Sequence, residues 1–236
     1  VSSVVMSDSA LLAGETSTLT ITFSEAVVGF DNSDITLENG TLTAVSSADS
    51  GVTWTGTFTP TDDIEDATNV ISVGTTLTDL AGNAPLAGNS TINYTIDTRE
   101  PVVSSVVMSD SALKVGETST LTITFSEAVT TFDNSDITLE NGTLTAVSTA
   151  DGGVTWTGIF TPTDNIEDTT NVITIGTTLT DLASNAPLAE NVSANYDIAT
   201  IEPLDTSVVM SDSALTVGET STLTITFSEA INNFDN

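Results

Sequence analysis

The sequence predicts an all-β chain: seven-stranded β-sandwiches in a tandem linear array. Three observations carry this: a repeat about one domain long, a two-residue alternation of apolar and polar side chains within it, and turn signals at short regular intervals. The segment Val-Val-Met-Ser-Asp-Ser-Ala-Leu recurs with Met6, Met108 and Met210 standing 102 residues apart. Between Val1–Val102 and Val103–Leu204, 20 of 102 positions differ, most of them by small swaps such as Val73 against Ile175. Solenoid rungs repeat at roughly 20–45 residues, whereas a unit near 100 can bury a core of its own. Each repeat is therefore expected to be a whole domain, with boundaries at 1–100, 101–204 and an incomplete 205–236. That third copy reaches only the equivalent of Asn32 and offers two strands, too few to close a core.

Within a repeat, Leu19, Ile21 and Phe23 alternate with Thr18, Thr20 and Thr22, the pattern of a strand with one face buried. Val52, Trp54 and Phe58 alternate with Thr53, Thr55, Thr57 and Thr59, and Ile92, Tyr94 and Ile96 with Asn93, Thr95 and Asp97. Ser2–Ser7, Asp34–Glu38, Thr41–Ser46 and Asn69–Gly74 complete seven strands, separated by turns such as Asn39-Gly40 and Ala81-Gly82-Asn83. Seven strands in about 100 residues point to the immunoglobulin-like sandwich, with Trp54 and Trp156 as large core residues.

Composition narrows the function. With 33 Asp and Glu against two Lys and Arg, the formal charge is −31. A polyanion cannot neutralise phosphates, so nucleic acid is excluded as a partner and anionic membrane surfaces are disfavoured. The chain has no Cys and no His, which removes thiol and imidazole nucleophiles, Cys or His zinc sites and disulfides. No apolar run approaches a membrane span, so insertion is not expected. Nor is an enzyme or a small-molecule substrate. Val1 opens directly on a strand pattern with no signal-like segment, as a piece of a longer chain would.

The acidic residues gather at predicted strand ends and loops. One pole of repeat 1 collects Glu15, the cluster Asp62, Asp63, Glu65 and Asp66, and Asp97 with Glu100. The facing pole of repeat 2 collects Glu127, Asp133, Asp136 and Asp181 with Asn185, across a linker of about four residues. Like charges at ~4–6 Å repel by roughly a kcal/mol in water and more near protein, so the poles would splay without a cation. Hard oxygen ligands in such numbers suit Ca²⁺, and extracellular calcium modules work at about 10⁻⁴–10⁻³ M. Calcium is therefore expected at the domain junction, since Arg99 and Lys114 cannot balance 33 carboxylates. The corresponding set at the far end of repeat 2 is Glu117, Asp164, Glu167, Asp168, Asp197 and Asp205, with Asn165 in place of Asp63 and Ala199 in place of Asp97. That second junction is expected to bind calcium more weakly or with altered geometry. A solvated acidic turn, or a surface adapted to high salt, is the alternative account of the same charge.

Pro101 and Pro203 fix φ and restrict the residues before them, so both linkers should be short and stiff. The segments GETSTLTITFSEAV, WTGTFTP and TLTDLAGN resemble the bacterial immunoglobulin-like repeats that fill the extender regions of giant secreted, biofilm-associated adhesins. The resemblance covers both full repeats and the partial one. It implies a calcium-rigidified spacer at the bacterial cell surface or outside the cell, extending an adhesive tip, with neighbouring repeats of the same chain as partners. Two other readings stay open: a self-assembling filament or sheath in which other copies of the chain complete sandwich edges by strand addition, and a module whose loops bind sugar or protein.

Overall fold

The computed structural model describes every residue except 233, 235 and 236. The predicted end of the third unit therefore lies partly outside the described residues. In repeat 1, the strands Ser3–Met6, Ser17–Thr22, Thr53–Pro60 and Gly40–Leu42 pair side by side in that order, with Ser46–Ser47 also on Thr53–Pro60. The alternation sets the faces. Leu19, Ile21 and Phe58 point inward and are fully buried, while Thr18, Thr55, Thr57 and Thr59 line the outer face.

The opposing layer is made of short ladders. Tyr94–Asp97 lies between Ala10–Leu12, to which it is parallel, and Glu65–Asn69, to which it is antiparallel. Ser72–Val73 lies between Ile35–Thr36 and Asn89–Ser90, and Val27–Val28 pairs with Thr78–Asp79. The chain therefore switches layers between Met6 and Ala10. Asp8 makes the bend, its Oδ1 accepting from the Ala10 N–H at 3.0 Å while its own N–H donates to Ser17 Oγ at 3.0 Å.

Between the layers Leu11, Leu19, Ile21, Phe58, Ile71, Tyr94 and Ile96 form the centre of one core. Phe58 and Tyr94 meet edge to face with centroids 5.5 Å apart, and the Tyr94 hydroxyl donates to the Glu38 carbonyl at 3.0 Å. Gly40 sits where a Cβ would come 2.2 Å from the Phe58 ring, so only glycine lets that ring reach the core. Repeat 2 builds the same two layers around a separate core of Leu121, Ile123, Phe160, Ile173 and Tyr196, and each sheet is drawn from one repeat alone. In the third copy Asp205–Met210 pairs with Leu223–Phe227, and Val208, Val209 and Leu223 are exposed.

All seven predicted strands are present, in an all-β sandwich as expected. Two side chains depart from the expectation. Trp54 and Trp156 pack on the core but are only partly buried, because each indole Nε1–H is held at the hairpin by the carbonyl of Gly51 or Gly153. Ile92 precedes the last strand instead of joining its inner face and is 80% exposed.

Candidate metal centre at the first junction

The last strand of repeat 1 is tied down to Thr98, whose N–H donates to the Ile64 carbonyl at 2.8 Å and whose hydroxyl donates to the Thr61 carbonyl at 2.8 Å. Repeat 2 takes hold at Val102, which exchanges hydrogen bonds with Ser126 at 2.9 and 2.8 Å. Only Arg99, Glu100 and Pro101 lie between these anchors, and Pro101 is buried. The linker is even shorter than expected from the sequence, which leaves the facing poles little room to part.

Asp97 closes a strand that is hydrogen-bonded on both sides, in register with Leu12 and with Glu65. Glu127 follows Ser126, the residue that clamps the linker. Asp181 opens a turn that its own side chain staples: Oδ1 accepts from the Asn185 N–H and Oδ2 from the Asn185 Nδ2, both at 2.9 Å. Ser184 at φ +69° closes the turn. Three elements from two repeats thus aim carboxylates at one point.

One oxygen from each of Asp97, Glu127 and Asp181 lies within 4.8 Å of the others. Oxygens held ~2.4 Å from a common calcium ion lie at most ~4.8 Å apart, so the spacing fits one hard cation. Asp181 is 3% and Asn185 5% exposed. Two buried oxygens at this point have no hydrogen-bond partner among the described residues, Glu127 Oε1 and Asn185 Oδ1. Buried oxygens without donors are costly, and a cation would satisfy both. Asn185 Nδ2 also lies 3.4 Å from the Asp97 carbonyl and from Asp97 Oδ1, completing the contact between the poles.

The electrostatics agree with the crowding. The Glu127 carboxyl is pushed up to about 7, first by burial, then by the negative charges of Asp181, Asp97 and Glu65, with Arg99 opposing. Asp97 is raised by burial and then by Asp181 and Glu65, against a hydrogen bond from the Arg99 backbone. Donors, spacing and mutual repulsion all suit a divalent ion bound by oxygen, with Asn185 as a fourth protein donor.

Residues 1–96, 97–198 and 200–236 each match the family model described as the bacterial Ig-like domain. The chain belongs to the bacterial Ig-like domain family. No curated protein matches it. Ig-like domains of this kind are structural or surface modules and typically non-catalytic.

The remaining acidic residues singled out in the sequence do other work in the Ig-like domains. Asp133 caps a short 3₁₀ turn, Asn134–Asp136, accepting from the Ser135 N–H at 2.7 Å, and Asp136 returns the bond to the Asp133 N–H at 3.0 Å and also accepts from the Thr178 hydroxyl. Asp66 accepts from the Thr68 N–H at 2.8 Å and from Asn39 Nδ2 at 2.9 Å, and Asp168 does the same with Thr170 and Asn141. These bonds, with the Ser135 hydroxyl foremost at Asp133, hold Asp66, Asp133 and Asp168 below the usual carboxylate range. Glu15 and Glu117 close turns by accepting from the backbone of Leu12 and Lys114 at 3.0 and 2.9 Å. None of the six joins the three-carboxylate cluster.

Asp62, Asp63 and Glu100 line a cleft of about 620 Å³ beside the linker, where Asp63 Oδ1 lies 3.9 Å from Arg99 Nε. Glu65 neighbours the cluster through Asp97 without being one of the three. At the second junction Asp164 and Glu167 are exposed, Asp205 is exposed, and Asp197 Oδ1 is occupied by Asn195 Nδ2 at 3.1 Å. Among the described residues, no second group of three carboxylates converges. Asn185, placed beside Asp181 at this pole by the Thr-Asp-Leu-Ala-Ser-Asn turn of the sequence, is the uncharged donor that the structure brings to the cluster.

Proposed function

We propose that the chain is a calcium-rigidified structural spacer from a bacterial cell-surface or secreted adhesin, holding an adhesive tip away from the cell in adhesion and biofilm formation. The observation that supports this most is the meeting of Asp97 from domain 1 with Glu127 and Asp181 from domain 2 around two unpartnered buried oxygens. In this reading Asp97, Glu127, Asp181 and Asn185 hold the ion, which supplies the positive charge that the poles lack. Domains joined by small interfaces otherwise move relative to one another. With the ion in place, the three-residue linker and the shared ligands make the pair one stiff segment. Near-identical repeats suit such a role, because a spacer needs length and no distinct sites.

Small-angle scattering of the chain in millimolar Ca²⁺ and in EDTA tests the reading. The maximum dimension and its sharpness are expected to fall when calcium is removed. Identical curves would remove the case for a calcium-stiffened rod.

A further inference from the structure

The sequence holds two Asn-Gly pairs, Asn39-Gly40 and Asn141-Gly142, at the turns into the strands Gly40–Leu42 and Gly142–Leu144. An asparagine followed by glycine is the pair most open to hydrolytic loss of its amide, because no Cβ keeps the next backbone nitrogen away from the side-chain carbonyl carbon. Asn39 stands at φ +53°, in the left-handed region that asparagine tolerates, and its carbonyl accepts from the Thr61 N–H at 2.9 Å to close the hairpin. Its side-chain amide is pinned. Asn39 Nδ2 donates to Asp66 Oδ2 at 2.9 Å and to Asn69 Oδ1 at 2.8 Å, both on the strand Glu65–Asn69 of the opposing layer. Asn141 repeats this with Asp168 at 3.1 Å and Asn171 at 2.7 Å.

The surroundings of this amide are fixed. Asn69 and Asn171 are fully buried, and Asn69 is held with its oxygen toward Asn39 because its own Nδ2 donates to the carbonyls of Asp66 and Tyr94 at 3.0 and 3.3 Å. Asn69 therefore cannot turn over to offer a donor in place of an acceptor without losing both bonds. The backbone has no slack either: a Cβ on Gly40 would collide with the buried Phe58 ring, so the turn lies hard against the core. A side chain bound to two residues 27 and 30 positions away is not free to swing onto the nitrogen of its own neighbour.

We infer that Asn39 and Asn141 are deamidation sites gated by folding, closed in the folded domain and open once it unfolds. In the opened chain the Gly40 nitrogen attacks Cγ of Asn39. The N–Cγ bond forms, the Cγ–Nδ2 bond breaks, and the side-chain nitrogen leaves as ammonia with the proton given up by Gly40. Water then opens the cyclic imide at either carbonyl and leaves aspartate or isoaspartate, with no change of oxidation state. The balance is one water consumed and one ammonia released. Neither product fits the native site. Aspartate sets a third acceptor against Asp66 Oδ2 and Asn69 Oδ1 where two donated bonds stood, next to a like charge and a buried oxygen. Isoaspartate lengthens the backbone at a turn already packed on Phe58. Unfolding thus becomes irreversible at the rate of this chemistry, and calcium plays no part in it.

The test is peptide mapping by mass spectrometry of the whole chain, incubated in mildly alkaline buffer either folded or held unfolded in urea, with Asn39 and Asn141 read separately. Deamidation at both is expected to be at least tenfold slower in the folded chain. Equal rates would overturn the gating. After dilution from urea, the fraction regaining native fluorescence of Trp54 and Trp156 should fall in step with the deamidated fraction. Full recovery from a fully deamidated chain would show that the products do fit, and would overturn the irreversibility. The double variant Asn39→Gly, Asn141→Gly keeps a residue at home at positive φ and has no amide to lose at these turns, so repeated unfolding should cost it no recovery. A loss in that variant equal to the loss in the parent chain would assign the irreversibility to another cause and overturn the inference. Should the glycine variant fail to fold, the folded and unfolded rates in the parent chain decide alone.

Discussion

The N-terminal poles of the two full domains have nearly the same residues and opposite surroundings. On domain 1, Glu25 and Asn83 are exposed and Asp79 is half-buried, while on domain 2, Glu127, Asp181 and Asn185 are covered by Asp97 and its strand end. The comparison teaches that such an acidic turn is crowded only when the end of a second domain covers it. A carboxylate stapled into its own turn is a solvated tip until a second domain removes the water and adds negative charge. Then the Glu127 and Asp97 carboxyls beside it are pushed upward, and Glu127 Oε1 and Asn185 Oδ1 are buried without donors among the described residues.

The sharpest way to break the comparison is to exchange matched residues. Asp181→Asn is expected to weaken calcium binding at the first junction at least tenfold, about 1.4 kcal/mol, while Asp79→Asn leaves that junction untouched. Both variants keep a side chain able to cap the turn, so calorimetric titration reads the ligand and not the fold. Equal effects of the two would mean that the covered pole is not special. A somewhat smaller loss is expected from Asp97→Ala, which gives the first junction the residue found at the second, Ala199. Calcium-dependent thermal stabilisation, which for ligand at ten times the Kd amounts to about 1.4 kcal/mol, should shrink accordingly.

Acidity sharpens the comparison in another way. Glu127 is raised to about 7 in the docked junction from an ordinary value of 4.5, so the docked state holds more protons than the parted one between these limits. Without metal, docking is therefore favoured below pH 4.5 and weakens as pH rises through 7. Calcium competes with that proton, so its affinity should rise over the same window and level off above it. Amide chemical shifts of Glu127 and Asn185, followed from pH 4.5 to 8 with and without Ca²⁺, read both trends. A flat profile would contradict the crowding at Glu127.

The smallest effect concerns the acidic residues outside the cage. Asp133→Ala removes the cap of a 3₁₀ turn and should cost about 1 kcal/mol of domain stability by denaturant titration, with calcium affinity unchanged.

The layering of the fold was legible because alternation of Leu19, Ile21 and Phe23 with threonines leaves one choice of inward face. Short strands such as Ala10–Leu12 and Thr78–Asp79 were not, because two or three residues carry no period and are ordered by partners distant in sequence. The same limit applies to the site. Sequence placed acid at both poles, and Asp97, Glu127 and Asp181 were among the residues named. It could not separate them from Asp66, Asp133 and Asp168, since an aspartate that closes a local turn and one that faces another domain differ only in what the fold brings near. The Asp31-Asn32-Ser33-Asp34 and Asp133-Asn134-Ser135-Asp136 segments did carry the spacing of a reciprocal cap, which marks such residues as locally engaged.

The wild-type chain has no cysteine, so two introduced ones take spin labels uniquely. Labels at Thr57→Cys and Thr161→Cys, on the exposed faces of domains 1 and 2, report the distance across the first junction by pulsed electron resonance. A cation held by Asp97, Glu127 and Asp181 predicts one narrow distance distribution in millimolar Ca²⁺ and a broad one in EDTA. Distributions of the same width in both conditions would contradict it.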